Sequence, residues 1–110
     1  MLSFQRLDVY RCAIERLAFT ATIEFPSGLS HFADPLRRAA LSVPLNLAEA
    51  AGRNRSADAA RHYAIARGSA MECAAVMDSL RVLAVLDEAQ HARATDLIAR
   101  IVAMSTKLCR

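Results

Sequence analysis

The stretch RRAALSVPLNLAEAAG, from Arg37 to Gly52, decides the fold. Its polar residues are spaced four, four and three apart, so they share one helical face: Arg38, Ser42, Asn46 and Glu49. Apolar residues at similar spacing form a second face: Leu36, Ala40, Val43 and Leu47. Pro44 has no amide hydrogen and predicts a bend of roughly 20° or more. The segment therefore predicts a kinked amphipathic helix.

Another amphipathic helix is predicted before this one, from about Phe4 to Glu24. Its expected inward face recurs at intervals of three and four: Leu7, Tyr10, Ile14, Leu17 and Ala21. Asp34 is predicted to cap the second helix, and Pro35 to occupy its first position, where a missing amide costs nothing. That helix is expected to end at Gly52.

The third and fourth helices follow after short connections. Asn54 or Ser56 can cap the third helix, which is predicted to run to about Leu86. Its main apolar stripe is Tyr63, Ala66, Ala70, Cys73, Met77, Leu80 and Ala84. Asp87 and Gln90 predict a capping box that opens the fourth helix, with Ala94, Leu97, Ile101, Met104 and Leu108 facing inward. Together these features predict an all-α, antiparallel up-down-up-down four-helix bundle in one domain, residues 1–110.

The third helix carries a second stripe, which predicts assembly with further copies. Ile65, Val76 and Leu83 form this stripe, and Ser69 and Glu72 interrupt it. A partly buried carboxylate needs a partner, so we expect Glu72 to meet Arg38 or Asn46, in the same chain or in a neighbour.

Composition narrows the class of protein. The chain is 55% hydrophobic and 5% aromatic, and it lacks an apolar run long enough to span a membrane. Charge appears by Arg6 and Asp8, so no signal peptide is visible and we expect a cytoplasmic protein. The three cysteines, an odd number at wide spacing, indicate packing in a reducing compartment.

The basic excess is local. Residues 37–67 hold six arginines against two acidic residues, a net charge of +4, whereas the whole chain carries +3. The arginines are Arg37, Arg38, Arg53, Arg55, Arg61 and Arg67. They indicate contact with phosphates or with acidic protein surface, although an arginine-rich base composition would also produce them.

Nothing in the sequence indicates catalysis, a metal or a cofactor. The histidines have no second ligand at helical spacing, apart from a weak pairing of His62 with Asp58. Ser42 and Ser69 have no histidine nearby in sequence to act as a base. No glycine-rich phosphate loop is present. We therefore expect a protein that is not an enzyme.

Three segments resemble a known family. Residues 37–53, RRAALSVPLNLAEAAGR, are similar to its RRAAxSIPxNIAEGxGR pattern. Residues 4–10 resemble its F-x-x-L-x-V-W opening, and residues 63–72 its Y-x-x-A-x-G-S-x-x-E segment. The family is the small four-helix-bundle proteins encoded in intervening sequences of large-subunit ribosomal RNA genes, which includes the accessory variability determinant of diversity-generating retroelements. Tyr10, Pro35 and Ala50 depart from the usual tryptophan, glutamine and glycine.

The resemblance implies a ring-like homopentamer with a positively charged surface. For the retroelement relatives it also implies association with a reverse transcriptase and its RNA. We therefore expect a non-catalytic scaffold that binds RNA or DNA through five arginines: Arg37, Arg53, Arg55, Arg61 and Arg67. The alternative is a protein-interaction ring without nucleic acid, in which the arginines serve subunit or partner contacts.

A separate set of residues is expected to fix assembly: Arg38, Ser42, Pro44, Asn46, Glu49, Ser69 and Glu72. Buried polar groups of this kind can specify helix register and subunit orientation. The same polar face could instead line a channel or a ligand groove.

Overall fold

The computed structural model describes residues 2–109, so Met1 and Arg110, the ends of the predicted domain, lie outside it. This part of the chain is all-helical, without a strand, and has four α-helices. They are α1 (Asp8–Ala21), α2 (Ala33–Ala51), α3 (Ser56–Val82) and α4 (Glu88–Leu108). Short 3-10 turns, Ser3–Arg6 and Ser30–Phe32, precede α1 and α2. Among residues 2–109, no helix combines the length and apolarity that crossing a bilayer requires.

The core lies where the four helices meet. α2 packs on α3 and α3 on α4, while α1 contacts both α4 and α2. The apolar stripe predicted for α2 is confirmed, because all four of its residues are buried. In α3 the stripe is confirmed from Ala66 to Leu80, with Tyr63 half-buried. In α4, Ala94, Leu97 and Ile101 are buried, while Leu108 is exposed.

The face predicted for α1 is wrong. Ile14 and Ala21 are exposed, and the other three predicted residues are only half-buried. The buried residues are Val9, Cys12, Ala13, Arg16, Phe19 and Thr20. Apolar side chains occur on two sides of this helix. The buried side also carries polar residues, so the spacing of hydrophobic residues does not identify it.

Arg16 and Thr20 can lie in the core because they partly satisfy each other. Arg16 Nη1 donates to Thr20 Oγ1, and Thr20 Oγ1 donates to the Arg16 carbonyl oxygen over 3.0 Å. The Arg16 guanidinium also lies 5.7 Å from the centre of the Phe19 ring. Its Nε and Nη2 are nevertheless buried and make no hydrogen bond within residues 2–109.

The predicted ends of α1, α2 and α3 need correction. The segment Ser3–Arg6 is a 3-10 turn, so α1 starts only at Asp8, and it stops at Ala21 rather than at Glu24. α2 begins at Ala33 after Phe32, which places Asp34 and Pro35 inside the first turn rather than at the cap and first position. α3 begins after Arg55, and neither Asn54 nor Ser56 caps it. Asp34 still favours the helix start, because an acidic residue there complements the helix dipole.

The end of α3 comes four residues earlier than predicted, at Val82. Val85 N–H donates to the Leu80 carbonyl over 2.9 Å, and Ala84 N–H to the Arg81 carbonyl over 3.1 Å, which is a Schellman cap. Ala84 takes the left-handed position with φ 60° and is exposed, so it is not part of the inward stripe. The turn places Leu86 in the core and lets Asp87 begin α4, where the predicted capping box is confirmed by the bond from Gln90 N–H to Asp87 Oδ1.

Pro44 is buried inside α2, which continues through it without interruption. The carbonyl of Ala40 cannot receive a bond from position 44, because proline has no amide hydrogen. The bend that proline predicts at this point stays a prediction.

Candidate nucleic-acid interface

The five arginines of the predicted nucleic-acid set occupy three places. Arg37 lies in the first half of α2, Arg53 and Arg55 in the connection between α2 and α3, and Arg61 and Arg67 in the first half of α3. All are exposed except Arg67, which is half-buried. They do not form one local cluster along the chain.

Most of these arginines lack an acidic partner. Arg53 Nη2 contacts Glu49 Oε2 at 2.7 Å, but both side chains are about half exposed, at 43% and 57%. An exposed pair of this kind adds little stability, so it does not occupy Arg53 permanently. Within residues 2–109, the other four arginines make no ion pair.

The connection between α2 and α3 is the most open part of this surface. Every residue from Ala51 to Asp58 is exposed. No apolar side chain there needs burial, so the two arginines are free to meet a charged partner. Loops of this kind commonly carry binding residues on a rigid scaffold.

Three of the seven residues of the predicted assembly set form a hydrogen-bonded network between α2 and α3. Ser42 Oγ and Ser69 Oγ lie 2.8 Å apart. Asn46 Nδ2 donates to the Ser42 carbonyl oxygen over 2.9 Å and to Ser42 Oγ over 3.1 Å. Asn46 Oδ1 lies 3.1 Å from His62 Nδ1, and because an amide oxygen only accepts, the histidine donates.

His62 is the member of this network that the sequence did not reveal. Asp58, which has a suitable spacing in sequence, forms no hydrogen bond with it among residues 2–109, and the ring is buried against Asn46 instead. Its Nε2 is buried and has no partner within the described chain. The i, i+16 separation of His62 from Asn46 gives no signal in sequence, because only the packing of α2 on α3 brings them together.

Of the other four residues of the assembly set, Pro44 is buried and the remaining three are exposed. Arg38, Glu49 and Glu72 all face solvent, and the expectation that Glu72 is partly buried is wrong. Glu72 shares a shallow cleft with Arg38, Ser42 and Ser69, but it forms no ion pair or hydrogen bond there within residues 2–109. Its carboxylate therefore needs no partner inside one chain.

The contacts around the histidines and serines do not resemble a nucleophilic site. The Asn46 amide separates His62 from Ser42, and an amide does not take up a proton from a serine. His91 lies at the surface with Nε2 2.8 Å from Asp78 Oδ1. Burial raises the pKa of the Cys12 thiol and of the Cys73 thiol, the latter partly opposed by the charge of Arg16, which favours the unreactive protonated form.

Comparison with known proteins identifies the family and little else. No curated protein is similar enough to the chain to count as a match. A family model described as 23S rRNA-intervening sequence protein matches residues 5–107, which include α1, α2, α3 and nearly all of α4. The match covers most of the chain and confirms the resemblance seen in its sequence motifs. The chain therefore belongs to the 23S rRNA-intervening sequence protein family.

Proposed function

We propose that this protein is a non-catalytic scaffold that self-associates in the cytoplasm and binds RNA through a basic end of its bundle. The family description names a ribosomal RNA and no reaction. By resemblance, the assembly is a homopentameric ring, and a reverse transcriptase is a candidate protein partner. Charge is the property that supports RNA most directly.

The proposal requires the helices to run alternately up and down. The order of contacts supports this arrangement: Ser42 meets Ser69, while Asn46, further along α2, meets His62, earlier in α3. In the same way, Arg93 near the start of α4 lies 3.7 Å from Glu15, in the second half of α1. In such a bundle, the starts of α1 and α3 lie beside the ends of α2 and α4.

That arrangement separates charge between the two ends of the bundle, and this is the observation that carries the proposal. With each helix divided at its midpoint, the end containing the α2–α3 connection holds eight basic and three acidic side chains. The opposite end holds five basic and eight acidic side chains. The eight basic residues are Arg6, Arg11, Arg53, Arg55, Arg61, Arg67, Arg100 and Lys107.

The basic end combines residues that are far apart in sequence. Arg6 and Lys107 join it from the two ends of the chain, whereas Arg37 lies in the opposite half and is left out of the proposed interface. A concentrated positive field attracts a phosphate backbone and raises association rates. Repetition of this end in an assembly would strengthen weak contacts through multivalency.

The mode of binding follows from the residue types. The chain has no tryptophan, and its two tyrosines, Tyr10 and Tyr63, are half-buried among core residues. Stacking on unpaired bases therefore has no exposed tyrosine or tryptophan platform. Contacts from arginine and lysine to phosphates predict binding with little sequence preference and strong salt dependence.

The test is fluorescence anisotropy with a labelled, structured RNA across a salt series. The double variant Arg53→Glu/Arg55→Glu is expected to weaken binding by about tenfold or more and to flatten the salt dependence, because each lost phosphate contact removes about one unit of slope. The matched control is Arg37→Glu/Arg81→Glu, an equal charge change at two exposed arginines of the opposite end. It is expected to change affinity by about twofold or less.

The alternative is a protein-interaction ring without nucleic acid, in which the arginines contact a neighbouring subunit or an acidic protein partner. Absence of RNA binding by the wild-type protein even at low salt would reject the RNA proposal in favour of this alternative. Equal weakening by the variant and by its control would reject the basic end as the interface.

A further inference from the structure

One stripe of α3 is exposed along its whole length. Arg61, Ile65, Gly68 and Glu72 are spaced four, three and four apart, so they lie on one helical face, which we call the outer stripe. All four residues are exposed, with Ile65 at 39% of its maximum. The buried residues of α3, from His62 to Leu80, lie on a different face.

The outer stripe has one charged residue at each end, Arg61 and Glu72. Arg61 and Glu72 carry opposite charges, yet neither forms an ion pair within residues 2–109. They lie three turns apart on the helix, too far to reach each other. Each is therefore available to a group from outside the chain.

The two central residues form a protrusion and a gap. A Cβ placed on Gly68 would meet no atom within 4 Å, so the space above it is empty. Glycine inside a helix costs about 1 kcal/mol relative to alanine, and no atom of residues 2–109 excludes a larger residue at this position. Ile65, one turn earlier, projects an apolar side chain beside this gap.

The outer stripe is complementary to itself when reversed. When two antiparallel copies of α3 place Ile65 opposite Gly68, they also place Arg61 opposite Glu72. This follows because the midpoint between positions 65 and 68 is also the midpoint between positions 61 and 72. A two-fold axis then creates each contact twice. We propose that a second copy of this chain docks here, α3 against antiparallel α3, with Ile65 filling the gap at Gly68 and Arg61 paired with Glu72 across the interface.

A second copy fits this surface better than RNA does. Glu72 would repel a phosphate backbone, whereas alternating opposite charges suit a reversed copy of the same surface. The inference rests on the proposed self-association and adds a second contact between copies to it. A two-fold contact closes a pair, so it is distinct from the head-to-tail contact that a ring of five requires. Arg61 would then belong to the subunit interface rather than to the RNA-binding end.

Charge reversal gives a sharp test, measured as molecular mass by sedimentation velocity. Arg61→Glu alone places two carboxylates opposite each other at both contacts, and Glu72→Arg alone places two guanidinium groups there. Each single variant is expected to weaken the pair by about 100-fold and to sediment as a smaller species than the wild type. An equimolar mixture of the two variants is expected to regain the wild-type mass, because every contact in a mixed pair joins opposite charges.

Gly68→Leu tests the apolar half of the contact. Leucine favours a helix more than glycine does, and the open space accepts its side chain within one chain, so thermal unfolding by circular dichroism is expected to be no lower than in the wild type. The same variant is expected to lose the wild-type mass, since the gap for Ile65 is filled.

The outcomes separate this contact from the broader proposal. Single variants that keep the wild-type mass, or a mixture that stays small, would overturn the two-fold contact while leaving self-association intact. A wild-type protein that is monomeric at about 100 µM, a concentration at which even weak specific pairs associate, would overturn self-association itself. RNA binding by the same samples is measured separately, so loss of the scaffold and loss of the interface are not confused.

Discussion

Arg16 lies at the centre of the face that α1 turns inward, and it is the most unusual residue of the core. It is only 2% exposed, and no carboxylate pairs with it within residues 2–109. Burial lowers the pKa of its guanidinium, because a low-dielectric interior disfavours the charged form. The Thr20 hydroxyl and the Phe19 ring compensate only in part.

We predict that Arg16→Met stabilises the protein by about 1–4 kcal/mol, because an unbranched apolar side chain of similar length replaces a buried charge with unpaired donors. Urea unfolding at neutral pH measures the change. Arg11→Met, an exposed position of the same helix, is the control and is expected to change stability by about 0.5 kcal/mol or less. A substantial loss of stability in the Arg16 variant would show that the guanidinium is satisfied in the folded protein.

Asn46 is the central member of the polar network, since it donates to Ser42 and accepts from His62. Asn46→Ala is expected to cost about 1–3 kcal/mol, because the buried His62 Nδ1 loses its acceptor. Glu49→Ala, one turn later on the same helix, removes only an exposed ion pair and is expected to cost about 0.5 kcal/mol or less. Equal losses in chemical unfolding would mean that the network contributes no more than the surface pair.

The connection between α3 and α4 begins before the apolar spacing of α3 ends. The heptad spacing continues to Ala84, yet the helix stops at Val82. Stopping there allows Leu86 to enter the core at 1% exposure and places Asp87 at the start of α4. Burial of a leucine is worth about 1.5–3 kcal/mol, more than one further turn of exposed helix provides.

The turn places an alanine where glycine is usual. Ala84 adopts φ 60°, a conformation that costs an L-residue roughly 1–2 kcal/mol. Ala84→Gly is therefore expected to stabilise the protein by about 0.5–1 kcal/mol, after the greater flexibility of unfolded glycine is included. The measurement is the free energy of unfolding in urea.

Ala75→Gly, an exposed position inside α3, supplies the matched control and should destabilise by about 1 kcal/mol. The two variants introduce the same residue into the same chain with opposite expected signs. A loss of stability at position 84 would contradict the account of the cap.

At the scale of the whole molecule, the packing of the helices brings together charged side chains that are far apart in the sequence. In the proposed up-and-down arrangement, Arg37 and Arg38 of the basic segment 37–67 fall in the half that also holds eight acidic side chains. The other half gains Arg6, Arg11, Arg100 and Lys107 from segments with no excess of their own. The proposed interface therefore depends on the arrangement of all four helices and not on the charge of one segment.

The sequence by itself determined the helical class, the inward stripe of α2, the start of α4 at Asp87 and the family. These features depend on periodicity, caps and motifs, which act between residues a few positions apart. The network shows the limit: Ser42 and Asn46 share a helical face in sequence, but their bonds to Ser69 and His62 required a second helix. Only the tertiary structure decided which side of α1 is buried, where α3 stops and that Glu72 stays exposed. Burial is settled by contacts between distant segments, and the spacing of hydrophobic residues within one helix does not specify those contacts.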